Sequence, residues 1–281
     1  MRVNIVCEND GWIYGKFVEM FRKYSKHDIL INSKEPCNAT HYLPYYLTLK
    51  KPVHPCTAWH SHQESKNPLR DKFVSVARAV DVPISHSKKY ADMLKKEYGI
   101  EKAIQIIPGV DLDIFKQRST RRPSNSLKLI VGYVGRSYSS STRKNSTMLK
   151  KISQLPFVEF RSTGGKIKDV DIPKFYADLD IVISPASVEG GPMAIQESLA
   201  TGTSVLCYEG VGVVDEFGTG VIKVPFGDSD EFISRLEIIH KTKSYLHYRK
   251  PEVMNQMRNQ VLNQSWNMFV RKHDRIFDEI T

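Results

Sequence analysis

The sequence has only four cysteines in 281 residues: Cys7, Cys37, Cys56 and Cys207. None stands in a C-x-x-C pair or another zinc spacing. They read as buried thiols rather than a disulfide framework, which points to a reducing compartment, the cytoplasm. No stretch approaches the roughly 18 uncharged apolar residues of a membrane span. The opening MRVNIVCEND lacks the basic, apolar and small-residue order of a secretory signal and runs straight into a strand-like segment. Internal repeats and low-complexity tracts are also missing. A globular chain of one or two domains remains.

Its 41% hydrophobic and 26% charged residues are ordinary for that class. The net charge of +10 is less ordinary. Residues 1–120 hold 19 Lys/Arg against 13 Asp/Glu, a net +6, and residues 121–281 hold 22 against 18, a net +4. An excess denser in the first half attracts polyanions such as nucleic acid, an anionic membrane face or nucleotide phosphates. The plain alternative is that the charge only aids solubility.

Strand-like runs alternate with helical segments, which implies parallel sheets covered by helices. Strands are expected at Val3–Cys7, His54–Trp59, Ala103–Ile107, Leu127–Val134, Val158–Ser162, Ile181–Ser184 and Ser204–Tyr208. Helices are expected at Lys16–Tyr24, Ser87–Tyr98, Thr147–Ile152, Pro173–Ala177, Pro192–Ala200 and Ser229–His240, with a long one over about Gln256–Ile280. Its Trp266, Phe269, Val270 and Phe277 share one apolar face. The polar segment KQRSTRRPSNS, residues 116–126, is the best linker candidate. The chain therefore divides into residues 1–118, 119–262 and a terminal helix, 263–281.

The most informative stretch is SPASVEGGPMAIQESLATGTSVLC, Ser184–Cys207. It reads as a buried strand, a loop with an acid and two glycines, a helix, a Gly turn and another strand. Pro192 suits a first helical turn, where its missing N–H costs nothing. Gly190 and Gly191 leave bare N–H groups at that helix start, a ready anion site. Glu189 stands before the helix and Glu197 on it, with seven residues between them. Carboxylates there suit paired sugar hydroxyls better than phosphate. The bland reading is an acid favoured by the helix dipole plus a surface Glu.

This segment resembles the E-x7-E motif of the large retaining glycosyltransferase family of GT-B fold, the glycosyl transferases group 1. Ser187, two before the acid, and Pro185 fit its Pro-Ser-x-x-Glu-Gly setting. IPGVDLDIF (Ile107–Phe115), VGYVGR (Val131–Arg136), DIPKFYADLDIVISP (Asp171–Pro185) and SWNMFVRKHDRIF resemble further segments of that family. The resemblance implies two Rossmann-like domains with parallel sheets facing across a cleft and a C-terminal helix crossing back to the first. It implies that Glu189, Gly190 and Gly191 hold the donor sugar, that Glu197 holds the ribose, and that Arg136 with Lys144 grips the diphosphate. Arg143 is the neighbouring alternative to Lys144. It also implies a His touching the donor sugar and reacting centre: His60, with His62 and His41 as alternatives. Gly11 and Gly15, after the first strand, form a small-residue loop that lets backbone approach the donor phosphates.

The expected activity is transfer of a sugar from a UDP- or GDP-sugar to an acceptor hydroxyl. By resemblance it proceeds with retention and without a metal or other cofactor. His60-x-His62 with Glu64 is the rival metal reading. Asp111-x-Asp113 and Asp169-x-Asp171 read as structural. The expected acceptor is a saccharide, lipid or nucleic acid met through the basic first domain, in the cytoplasm or at a membrane face. Basic pairs Lys50-Lys51, Lys88-Lys89 and Lys95-Lys96, with Tyr42, Tyr45, Tyr46 and Trp59, fit that idea. The rivals are a nucleotide-sugar epimerase or phosphorylase of the same fold and a nucleotide-sugar-binding protein without turnover. Release of free nucleotide diphosphate separates transfer from mere binding.

Overall fold

The computed structural model describes residues 1–8, 13–63, 68–121, 126–135 and 142–281. Gly11, Glu64 and Arg136 lie outside the described residues. The chain separates into two compact units, Met1–Gly109 with Gln264–Thr281, and Val110–Asn263.

The first unit is built from β1 (Arg2–Cys7), α1 (Ile13–Tyr24), β2 (Asp28–Ile31), β3 (Ala39–Leu43), β4 (Cys56–His60), α2 (Leu69–Ala79), β5 (Val82–Ser85), α3 (Lys88–Lys96) and β6 (Ile104–Gln105). The strands form one parallel sheet in the order β2-β1-β3-β4-β5-β6. Strands β3 and β4 are buried at every position, so both of their faces are covered by other elements. Residues at either parity of these strands therefore point into a core. α1 turns Phe17, Val18, Met20 and Phe21 inward, the i, i+3, i+4 spacing of one helical face.

The second unit is built from β7 (Leu129–Tyr133), α4 (Ser146–Ser153), β8 (Val158–Ser162), α5 (Ile172–Ala177), β9 (Ile181–Ser184), α6 (Met193–Thr201), β10 (Val205–Tyr208), β11 (Val221–Val224), α7 (Ser229–Thr242) and α8 (Pro251–Asn259). Its sheet is again parallel, in the order β11-β10-β9-β7-β8. The polar segment read as a linker starts inside this unit. Arg258 donates to the carbonyls of Leu112, Phe115 and Ala200 at 2.9, 2.6 and 2.7 Å, which fastens the entering chain to α6. Beyond it Arg118 is buried and donates to the Leu179 carbonyl at 2.6 Å. Arg249, also buried, donates to the same carbonyl at 3.0 Å and lies 3.6 Å from the fully buried Asp180 carboxylate. Asp180 also accepts from the Ile130 N–H at 2.9 Å.

The last helix, α9 (Trp266–Ile280), belongs to the first unit. The long helix expected from about Gln256 is interrupted between α8 and α9, and Ser265 restarts it by accepting from the Met268 N–H at 3.3 Å. Trp266 and Phe269 pack edge-on against Phe17 with ring centroids 5.3 and 5.1 Å apart. Asp274 takes hydrogen bonds from the Ser25 hydroxyl at 2.6 Å and the Lys26 N–H at 3.0 Å. Gly109 must be glycine here, because a Cβ would overlap the Trp266 backbone.

Candidate functional site

In the second unit, β9 ends at Ser184 and α6 begins at Met193, with Pro192 as its N-cap residue. The connecting loop carries Glu189, Gly190 and Gly191, all buried. A short 3-10 turn, Thr142–Lys144, is tied to this loop by two hydrogen bonds. The Ser187 N–H and hydroxyl both donate to the Arg143 carbonyl, at 2.9 and 3.4 Å. That tie brings two cations onto the acid. Lys144 Nζ hydrogen-bonds Glu189 Oε1, and Arg143 lies 3.9 Å from Oε2. The Glu189 side chain is only 10% exposed, so the ion pair sits largely out of solvent. Thus Lys144 and Glu189, far apart in sequence, share one locus at the start of α6, and Arg143 stands beside them.

Glu197 lies one further turn along α6 and is partly exposed. Its Oε2 accepts from the Tyr176 hydroxyl at 2.7 Å. Burial, and then the neighbouring Glu197, push the Tyr176 phenol well above its ordinary range, so it remains a donor at any working pH. Tyr176 thus orients the carboxylate from inside the core. A second supporting residue is Gly212, whose φ is +58°. A Cβ there would meet the carbonyls of Gly190 and Glu189 at 2.5 and 2.8 Å. Both residues escape a reading of the motif, because they act from neighbouring segments. The hints are the position of Tyr176 in the DIPKFYADLDIVISP segment and the G-V-G after β10.

In the first unit the histidines are placed differently from expectation. His60 is fully buried, stacked on Tyr45 with ring centroids 5.0 Å apart, and its ring nitrogens face the carbonyls of Ala58 and Phe73 at 3.0 and 3.2 Å. Burial lowers its pKa to about 4, so the ring is neutral. His60 is therefore a core residue, which corrects the placement expected for it at the strand mouth. The cause is that β4 is covered on both faces. His41 is equally buried, with its Nδ1 2.7 Å from the Thr57 hydroxyl. His62, just past β4, is the partly exposed member of the three. The His60-x-His62 metal reading loses His60 on the same grounds. Gly15 falls inside α1 rather than in a loop before it, facing open space. The Asp111 carboxylate accepts from the N–H groups of Asp113 and Ile114, each at 3.1 Å, and so closes a turn.

Two Rossmann-like units of parallel sheet, the second with an acid-and-glycine loop at a helix start, define the GT-B class of fold. Solved structures share it. HepE of Anabaena, in complex with UDP and glucose, superposes with a TM-score of 0.74 at 11% identity, covering 99% of this chain and 100% of that one. WaaB, a lipopolysaccharide outer core galactosyltransferase in its apo form, gives 0.70 at 10%, covering 99% and 100%. Sucrose-phosphate synthase of Thermosynechococcus elongatus gives 0.66 at 15%, covering 97% and 80%. Among curated proteins, none matches the sequence. Residues 90–256 match the family described as Glycosyl transferases group 1, more than half of the chain, and the chain belongs to that family. It is a glycosyltransferase. Among the described residues no helix is long and apolar enough to cross a membrane.

If Tyr176 orients Glu197, then Tyr176→Phe should weaken binding of a free nucleoside diphosphate by about 1 kcal/mol, the worth of one hydrogen bond. If Glu197 holds ribose hydroxyls, Glu197→Ala should cost more, about 1.5–3 kcal/mol, the worth of charge-assisted bonds. Calorimetry on both variants checks this ranking. Equal affinity in wild type and Glu197→Ala would remove the ribose role.

Proposed function

We propose that the protein transfers a sugar from a UDP- or GDP-sugar to an acceptor hydroxyl with retention and without a metal. The carrying observation is the seating of Lys144 on Glu189, with Arg143 alongside, at the N-terminus of α6. One locus then offers cations and a helix terminus for the diphosphate and a carboxylate for sugar hydroxyls. Arg136, outside the described residues, would join Lys144 on the diphosphate by the family resemblance. Glu189 with the Gly190 and Gly191 N–H groups would hold the sugar, and Glu197 the ribose. Gly11, outside the described residues, would allow close approach of backbone to the donor phosphates. With His60 in the core, His62 takes the proposed role at the reacting centre. The acceptor oxygen bonds to the anomeric carbon as the carbon–oxygen bond to the diphosphate breaks, and the acceptor proton passes to the departing phosphate. The UDP held by HepE supports a uridine donor.

The acceptor is proposed to be a polyanion such as a lipopolysaccharide, anionic lipid or DNA, on the strength of the net +6 over residues 1–120. The likeness to WaaB, a lipopolysaccharide outer core galactosyltransferase, favours the first of these. The test is turnover of a panel of UDP- and GDP-sugars in excess EDTA, with the anomeric configuration of the product read by NMR. Activity should survive the chelator. Loss in EDTA with rescue by magnesium or manganese would sink the metal-free mechanism, and an inverted product would sink retention. Retention on heparin, DNA and anionic vesicles should fall steeply between about 50 and 200 mM salt. A wild-type protein that none of the three holds at low salt is not acting on a polyanion.

A further inference from the structure

Outside the locus described above, one cluster of ligand-type side chains stands at the N-terminal edge of the first unit's sheet. Cys56 is the first residue of β4, Asp81 immediately precedes β5, and His54 lies two residues before Cys56. His54 Nδ1 is 2.8 Å from Asp81 Oδ2 and 3.6 Å from Cys56 Sγ. The three donor atoms lie within 4.8 Å of one another. Both short contacts run through the same ring nitrogen. A nucleophile relay would need the thiol and the carboxylate on opposite ring nitrogens, so a Cys-His-Asp hydrolase is excluded. One nitrogen facing both a sulfur and a carboxylate oxygen makes a three-donor concavity, and a single proton on that nitrogen serves only one of the two.

We infer that His54, Cys56 and Asp81 form a zinc-binding site that joins the starts of β4 and β5. Zinc accepts thiolate, imidazole and carboxylate at about 2.3, 2.0–2.1 and 2.0–2.2 Å, and tetrahedral angles then separate sulfur from nitrogen by about 3.6 Å. The observed separation is 3.6 Å. Nitrogen and oxygen would sit about 3.3 Å apart on the ion, so the His54–Asp81 contact opens by about half an ångström. The half-exposed His54 ring can supply that movement, since its side chain is 49% exposed. The other two donors are preset, because Asp81 Oδ2 accepts from the Cys56 N–H at 2.7 Å. The sulfur and nitrogen donors select a borderline-soft ion over magnesium or calcium. Charge agrees: thiolate and carboxylate face Lys102, whose Nζ is engaged by the carbonyls of Arg78 and Val80. Burial holds the Cys56 thiol up at about 11, so zinc must displace a proton on binding. The fourth position is left to water, and the exposed side of His54 is the entry path.

The site stands at the opposite edge of this sheet from His62, and its role is to fasten two strand starts. An ion that binds only the folded chain raises its stability. The test uses the reduced, metal-stripped full chain. Zinc should bind with one equivalent per chain and raise the unfolding temperature. Cobalt(II), as a spectroscopic stand-in, should give a sulfur-to-metal charge-transfer band. Cys56→Ser should abolish that band, while Cys7, Cys37 and Cys207 remain to report any competing thiol. His54→Ala, at an exposed position, should weaken zinc by at least about tenfold. A wild-type protein without the band, a band that survives Cys56→Ser, or unchanged zinc affinity in His54→Ala would each overturn the site.

Discussion

Asp180→Ala is expected to lower the unfolding midpoint of the second unit by about 10 °C, whereas Arg118→Met should cost little. Asp180 is fully buried, 3.6 Å from the buried Arg249 guanidinium and near enough to act on the buried Arg118. Burial, and then the like charge of Arg249, pull Arg118 down to about 9. This cluster thus sets the Asp180 carboxylate against two guanidinium groups that repel each other. Removing the acid takes a negative charge from beside two buried cations and leaves the Ile130 N–H without its 2.9 Å partner. Breaking a buried ion set in this way costs about 3–5 kcal/mol. At about 2–4 °C per kcal/mol for a unit of this size, the midpoint falls by about 10 °C. Arg118→Met instead relieves repulsion while filling similar volume. Thermal unfolding followed by circular dichroism separates the two. An Arg118→Met midpoint as low as that of Asp180→Ala would show that the net charge of the cluster is not what matters.

The second large effect is acid lability of the first unit. His41, His60, His86 and His273 are all buried there. Burial lowers His60 and His273 to about 4 and His86 to about 3, and it lowers His41 well below the ordinary value, with His273 and His60 adding to the shift. The unfolded chain has these rings near 6.5, so below that pH it binds protons that the folded chain refuses. Stability is therefore full above about pH 6.5 and is lost as pH falls toward the folded values. At about pH 5 His60, His86 and His273 each cost roughly 2 kcal/mol, and together they approach the whole stability of a typical domain. Urea unfolding at about pH 7.5, 6 and 5 should show a steep decline in midpoint. A flat profile would mean that these rings are charged or exposed when folded.

The fold class is legible because strand–helix alternation repeats along the chain. Short elements are less so. Strands β2, β5 and β11 have four residues each and carry Asp28, Pro83 and Lys223, which interrupt the apolar runs that made β9 and β10 readable. Helix α2 was readable, since Leu69, Phe73, Val76 and Ala77 fall at helical spacing, yet it lies between segments rich in Pro, Asn and Ser. The Glu189–Glu197 loop is legible since its chemistry is local: an acid, two glycines and a helix start adjacent in sequence. Arg118, Asp180 and Arg249 are the opposite case. They meet only through folding, and Arg118 in a basic, polar run reads as solvated linker until its carbonyl partner is known. His60 misleads for a similar reason, because burial of both faces of β4 depends on helices elsewhere in the chain.

The return of α9 to the first unit sets a timetable for synthesis. Phe17, which closes on Trp266 and Phe269, lies near the beginning of the chain. The 154 residues of Val110–Asn263 must be translated in between. At about 5–20 residues per second, the nascent chain carries that aromatic surface unsealed for roughly 10–30 s. The second unit, contiguous in sequence, can complete itself on the ribosome first. Newly made first unit is then the natural client for a chaperone, and mutations that slow the capture of α9 should show as lower yield before they show as lower activity.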